Sequence, residues 1–322
     1  MRLLWLILLF PIFGAGQILV KRNAHLMGGK FEVSIVAPDS TEANRHIDDI
    51  IAEISRIEYL ISDWKPETQI SEVNRNAGVK PVKVDTEVFD LTRRAIRLSE
   101  ITDGAFDISF AAMEKIWKFD GSMTEVPSPD AVRRSVEKVG YMNIELDSID
   151  QTIFLKRPGM KIGFGALGEG YAVDRCRKMM QERGVKAGLI NATGDMTAWG
   201  KRPVGRKSEP WNVGIAHPFK RGKVARKFSL DGSVATSGNY EKFVEIEGKR
   251  YSHIINPKTG YPATGLTSVT VKGPSAEVAN GLSTSIMVLG VKEGLKLLER
   301  FPEYGCYMIT DEGKSRKRNF RK

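Results

Sequence analysis

Cysteine and histidine are scarce in this chain, with two of the first and four of the second in 322 residues. Cys176 and Cys306 allow at most one disulfide, and no Cys/His spacing matches a zinc site. A chain of this length can bury a core that needs no covalent staple. Cys176 also falls on the apolar face of a helical pattern, so two free, buried thiols are expected. Beyond Phe13 no stretch is long and apolar enough to cross a bilayer. The Gly-Lys-Ser/Thr ending of a Walker loop is missing, and no glycine run has the dinucleotide-fold spacing followed by an acidic residue on a second strand. No recognition-helix pattern and no aromatic-interleaved basic patch occurs, which argues against nucleic acid as a partner. The net charge of +10 is then read as favouring a phosphate-bearing ligand or an acidic membrane face.

What is present describes a globular protein: 41% apolar and 27% charged residues. Residues 1–16 open with Met1 and Arg2, continue as the apolar run Leu3 to Phe13 and end in Gly14, Ala15 and Gly16, the layout of a signal peptide. An uncleaved N-terminal anchor is the other reading. No cysteine lies near the cleavage region, so a lipoprotein anchor is excluded. The expected protein is exported and periplasmic, at or near the inner membrane. Residues 314–322 carry six Lys or Arg and no acid, and read as a solvated basic tail after a single interwoven domain over 17–313.

Apolar residues recur at helical spacing from Ser40 to Ile61, capped by Ser40 or Thr41. Further helices are expected over Thr86 to Thr102, from Gly168 through Met180, over Ser275 to Leu289, and briefly over Lys292 to Arg300. Strand-like runs cover Phe31 to Val36, Val185 to Ala192, Asn212 to Ile215, Phe243 to Ile246 and Ser268 to Val271. Helices and strands mix without strict alternation, which predicts an α+β fold with a mostly antiparallel sheet.

Four clusters could carry chemistry. Gly163, Gly165, Gly168 and Gly170 stand at the start of a helix, where glycines admit a close ligand and free amides favour phosphate; tight turns give the same pattern. Asn191 to Asp195 follow a strand, and either line a site or close the strand. Thr236 to Tyr240 precede His253 to Pro262, where Pro257 and Gly260 define a turn. His253 serves either structure or catalysis. Asn280 and Thr284, four apart on a helix, present two oxygens on one face, a poor metal site by themselves because Mg²⁺ normally takes a carboxylate.

The order of these clusters resembles the ApbE-type flavin transferases. The resemblance runs through Met27-Gly28, Ser62-Asp63-Trp64, Ile70-Ser71 with Asn74, Thr102 to Asp107, Ala166 to Asp174, Asn191 to Asp195, Thr236 to Tyr240, His253 to Pro262 and Ala279 to Thr284, over roughly residues 24–310. It implies an enzyme that binds FAD, cleaves its pyrophosphate with Mg²⁺, passes FMN to a Thr or Ser hydroxyl of an acceptor protein and releases AMP. The implied acceptor is an exported membrane redox subunit. The resemblance places Met27 and Asp63 at the nucleotide end, Gly165 and Gly168 near the phosphates, and Asp195, Thr236, Ser237 and Thr259 around the rest of the cofactor. It gives His253 a role near the phosphates, plausibly in proton transfer. The metal ligands map to the Ala166 carbonyl, Asn280 and Thr284.

The chain departs from the family pattern at three positions. Asn280 replaces the family's metal-binding Asp, Glu169 stands where the family usually has Lys, and Asn256 replaces an Asp at a position expected to form a turn. Either Glu169 supplies the charge lost at 280, or metal binding is impaired. Two other functions stay open: a non-catalytic exported FAD-binding protein, and an FAD pyrophosphatase giving FMN and AMP.

Overall fold

A computed structural model describes residues 17–240 and 242–320. Its centre is one eight-stranded sheet. In chain order the strands are Ile18–Leu26, Gly29–Ala37, Ala187–Ala192, Asp195–Trp199, Gly232–Gly238, Leu266–Gly273, Gly305–Thr310 and Ser315–Arg318, and they lie side by side in that order. Every neighbouring pair is antiparallel. The expected α+β class with an antiparallel sheet is what the chain forms. The signal-peptide segment lies outside the described residues.

The helices are α1 (Ser40–Ile61), α2 (Gln69–Arg75), α3 (Thr86–Ile101), α4 (Pro129–Ser135), α5 (Gly168–Glu182) and α6 (Ala276–Leu297). Period-two alternation on the strands and period-3.6 alternation on the helices meet on one face of the sheet. Phe31, Val33, Ile35 and Ile190 project there onto Ile47, Ile50, Ile54 and Ile57 of α1 and onto Val173 and Cys176 of α5. Val269, Val271 and Met308 meet Leu282 and Ile286 of α6. Each α1 isoleucine of this stripe is fully buried, so truncation of one to Ala costs about 2–5 kcal/mol. The opposite face, through Val36, Leu189 and Val234, is covered by Trp211, Ile215, Phe228 and Leu230 of the Lys207–Ala216 and Val224–Leu230 hairpin.

Two details differ from the sequence reading and one agrees with it. Asp39, not Ser40 or Thr41, caps α1, its side chain accepting from the Glu42 amide. As the sequence reading expected of Ser275 to Leu289 and Lys292 to Arg300, α6 is two helical pieces, broken at Gly290, whose φ of 75° only glycine adopts readily. The basic segment is not a solvated tail: Ser315–Arg318 pairs with Cys306–Ile309, and Phe320 is buried against Phe228. An edge strand needs only backbone partners on one side, and its Lys and Arg side chains deter further strand pairing. Both thiols are free and buried, as expected. Among the described residues no helix is long and apolar enough to cross a membrane.

Candidate functional site

Two hairpin turns at the same end of the sheet shape the site. Met27-Gly28 joins the first two strands, and Thr193-Gly194 joins Ala192 to Asp195. Both are two-residue turns, and both first residues are non-glycine at positive φ, 51° for Met27 and 49° for Thr193. Such strain concentrates where a side chain must be aimed. The Met27 amide is held by Glu58 of α1 at 2.9 Å. The Thr193 hydroxyl donates to the Glu169 carboxylate in the first turn of α5.

Two cavities open beside these turns. The smaller, about 320 Å³, is lined by Met27, Gly28, Asp63, Trp64 and Phe164 among others. The larger, about 870 Å³, is lined by Ala166, Asp195, Thr236, Ser237, His253, Asn280 and Thr284, with Asp107, Tyr240 and Lys242. Gly165 and Glu169 line both, so the cavities meet at the start of α5. A Cβ built on Gly165 would touch nothing within 4 Å, and its φ is not positive. Neither packing nor backbone conformation demands glycine there, which leaves an open cradle at the junction.

The structure therefore brings together nearly all the residues chosen from sequence. Two stay outside. Gly168 is buried, and a Cβ on it would press on Ile61 Cδ1 at 2.9 Å and Met27 Cε at 3.2 Å, so its smallness serves helix packing. Thr259 is exposed at the tip of its turn, where its hydroxyl accepts from the Tyr261 amide. Thr193, Trp64, Asp107, Tyr240 and Lys242 line or support the cavities without having been singled out as site residues. Thr193 could have been found, since a threonine before glycine between two strands marks a turn that ends in a site.

The polar chemistry centres on α6. Asp174 of α5 accepts from Ser275 Oγ at 2.7 Å and from the Glu277 amide at 3.0 Å, pinning the helix start. One turn on, Asn280 Nδ2 donates to Asp195, which orients the amide and turns Oδ1 toward Thr284 Oγ1 at 3.4 Å. Ser237 Oγ lies 3.2 Å from Thr284 Oγ1. Thr236 pairs with Thr270 at 2.9 Å. Burial pushes the Asp195 carboxyl up to about 8, the Asn280 bond opposing and the Glu169 and Asp174 charges adding to the rise. Burial also raises Glu169, opposed by the Thr193 bond. In the smaller cavity burial raises Asp63, against the pull of Lys115 and Lys161.

His253 follows the Phe243–Ile246 and Lys249–Ser252 hairpin and points into the larger cavity. Its Nδ1 lies 2.8 Å from the Lys242 carbonyl. A carbonyl only accepts, so Nδ1 carries the hydrogen and, in the neutral ring, Nε2 is the basic nitrogen. The following turn is rigid: Asn256 Oδ1 accepts from the Lys258 amide at 2.9 Å, and the Trp117 indole donates to the Gly260 carbonyl at 2.9 Å. Asn256 thus does the turn-forming work expected of it.

The Ala166 carbonyl, Asn280 Oδ1, Thr284 Oγ1 and the carboxylates of Asp195 and Glu169 are all oxygen donors on one cavity. That is the donor type of hard divalent cations and not of zinc, and among the described residues no cluster of three His, Cys, Asp or Glu offers an alternative. A raised Asp195 pKa has a stability consequence without cation. The folded state holds a proton that the unfolded state has released between about pH 4 and pH 8, so stability falls as pH rises through that window. Asp195→Asn is expected to flatten that slope and to leave the cation-free protein more stable than wild type near pH 8, by up to about 5 kcal/mol. Urea unfolding in EDTA at about pH 5 and pH 8 checks it; parallel slopes for both proteins would refute it.

An α+β chain with a two-compartment cleft, a glycine cradle at the junction and an oriented histidine defines a class of enzymes acting on a ligand with two bulky ends. The profile of the ApbE family matches residues 27–308, and the chain belongs to that family. It is 30% identical over 294 residues to the FAD:protein FMN transferase of Klebsiella pneumoniae (strain 342), covering 89% of this chain and 83% of the relative. It is 30% identical over 290 residues to that of Treponema pallidum (strain Nichols), covering 86% and 80%. The ApbE protein of Thermotoga maritima superposes with a TM-score of 0.82 at 29% identity, covering 94% of this chain and 97% of that one. The apo flavinyl transferase ApbE of Pseudomonas stutzeri gives 0.80 at 27% identity, covering 94% of each.

Proposed function

We infer that this chain is an FAD:protein FMN transferase, moving FMN from FAD to an acceptor protein. The observation that carries the reading is the pair of cavities meeting at Gly165 and Glu169, one beside Met27 and Asp63 for the nucleotide end and one beside Asp195 and Thr236 for the flavin. The diphosphate then crosses the junction. In the transfer, a Thr or Ser hydroxyl of the acceptor attacks the phosphorus on the FMN side, its proton passes to His253 Nε2, the bond to the AMP phosphate breaks and AMP leaves. Alignment and charge stabilisation are most of what such a displacement needs. Mg²⁺, when bound, neutralises charge on the diphosphate. The Ala166 carbonyl, Asn280 Oδ1 and Thr284 Oγ1 would hold it, with Asp195 fixing the Asn280 amide so that Oδ1 faces Thr284. The leader-like residues 1–16 support an exported, periplasmic setting, and the family resemblance is what suggests an exported membrane redox subunit as acceptor.

AMP release and acceptor flavinylation, measured with FAD, an acceptor domain, and Mg²⁺ or EDTA, test the reading. Cation-dependent AMP together with a covalently yellow acceptor is the expected result. AMP at the same rate without acceptor would mean a pyrophosphatase, and FAD bound but intact would mean a binding protein.

A further inference from the structure

A ligand that fills both cavities must cross their junction, and the carboxylate standing there is Glu169. Thr193 fixes its position by a hydrogen bond from a strained turn. Asp195 lines the same larger cavity. Among the described residues no Lys or Arg forms an ion pair with either. Lys65, on the smaller cavity, is 2.9 Å from Glu58, and Lys242, on the larger, adjoins His253. The open cradle at Gly165 shows that this same point is kept clear of protein atoms. A diphosphate threaded there brings two negative charges against a fixed carboxylate inside a half-enclosed cleft, where screening by water is reduced.

We propose that Glu169 makes binding of the FAD diphosphate conditional on a divalent cation, which bridges the carboxylate and the phosphate oxygens. The inference rests on the FAD-binding reading above and adds a rule to it: cation and dinucleotide bind as a pair, each weak without the other. Coupling is reciprocal, so FAD raises cation affinity by the factor by which the cation raises FAD affinity. A chain with a cation at position 169 would need no such bridge. Glu169 thus acts as a gate on ligand binding, separate from the orientation of Asn280 by Asp195.

The test is FAD affinity of the full chain by flavin fluorescence and calorimetry, in Mg²⁺ and in EDTA, for wild type, Glu169→Gln and Glu169→Lys. Mn²⁺ affinity with and without FAD is read in parallel by water-proton relaxation. Wild type is expected to bind FAD about ten- to a hundredfold more tightly in Mg²⁺ than in EDTA, and to bind Mn²⁺ more tightly with FAD by the same factor. Glu169→Gln is expected to lose most of that coupling, and Glu169→Lys to bind FAD in EDTA as tightly as wild type does in Mg²⁺. Equal wild-type affinity in Mg²⁺ and EDTA overturns the inference alone, as does full coupling retained in both variants. No FAD binding in either condition overturns the flavin reading and the inference together.

Discussion

Replacing His253 with Ala is expected to lower FMN transfer by about 10²–10⁴-fold while FAD still binds, the range lost when a positioned general base is removed. The sequence makes the ring a directed group. A short hairpin delivers it to the cavity, the Lys242 carbonyl fixes the Nδ1 hydrogen, and Phe119 meets the ring edge-on at 6.4 Å. The turn after it is braced by Trp117 and by the Asn256 side chain, so the fold does not depend on the imidazole. Flavinylation of an acceptor under single turnover, beside an FAD titration, separates the two effects. Transfer within about threefold of wild type would remove His253 from proton transfer. Lost FAD binding with an unchanged transfer rate at saturation would make it a binding residue.

The parts of this molecule legible in the sequence are those where one periodicity decides the structure. The isoleucine stripe of α1 and the apolar runs of the Gly29–Ala37 and Ala187–Ala192 strands fall in that class. So do Asn280 and Thr284, because helical spacing alone puts them on one face. The Ser315–Arg318 strand was hidden because no apolar residue marks it: Arg318 is held by Glu299, and the buried Phe320 comes after the strand. The Ile18–Leu26 strand was hidden by its burial pattern, half exposed along its length as an edge strand is. At the site, residue types were legible and depth was not. Asp195 looks like any polar residue after a strand until burial and the neighbouring Glu169 are known. Glu169 shows as a departure from a pattern, but only the meeting of two cavities gives it something to act on.

The same distinction separates glycines that look alike in the sequence. Gly165→Leu is expected to leave thermal stability nearly unchanged and to weaken FAD binding at least about a hundredfold, since the side chain enters open space that the ligand needs. Gly170→Leu, five residues on, is expected to do the reverse in character. A Cβ there meets the Ala276 carbonyl oxygen at 2.7 Å and the Glu277 amide nitrogen at 2.8 Å, backbone atoms that cannot rotate away. Helix α5 must then back off from the start of α6, at a cost of about 1–3 kcal/mol or more. That shift also disturbs the bonds from Ser275 and Glu277 to Asp174, and with them the placing of Asn280 and Thr284. Thermal melts and FAD titrations on both variants read the contrast directly. A large Tm loss for Gly165→Leu would mean that the cradle is a packing contact and not a ligand site. Undiminished FAD binding by a stable Gly165→Leu protein would move the diphosphate away from the junction, and with it the case for Glu169.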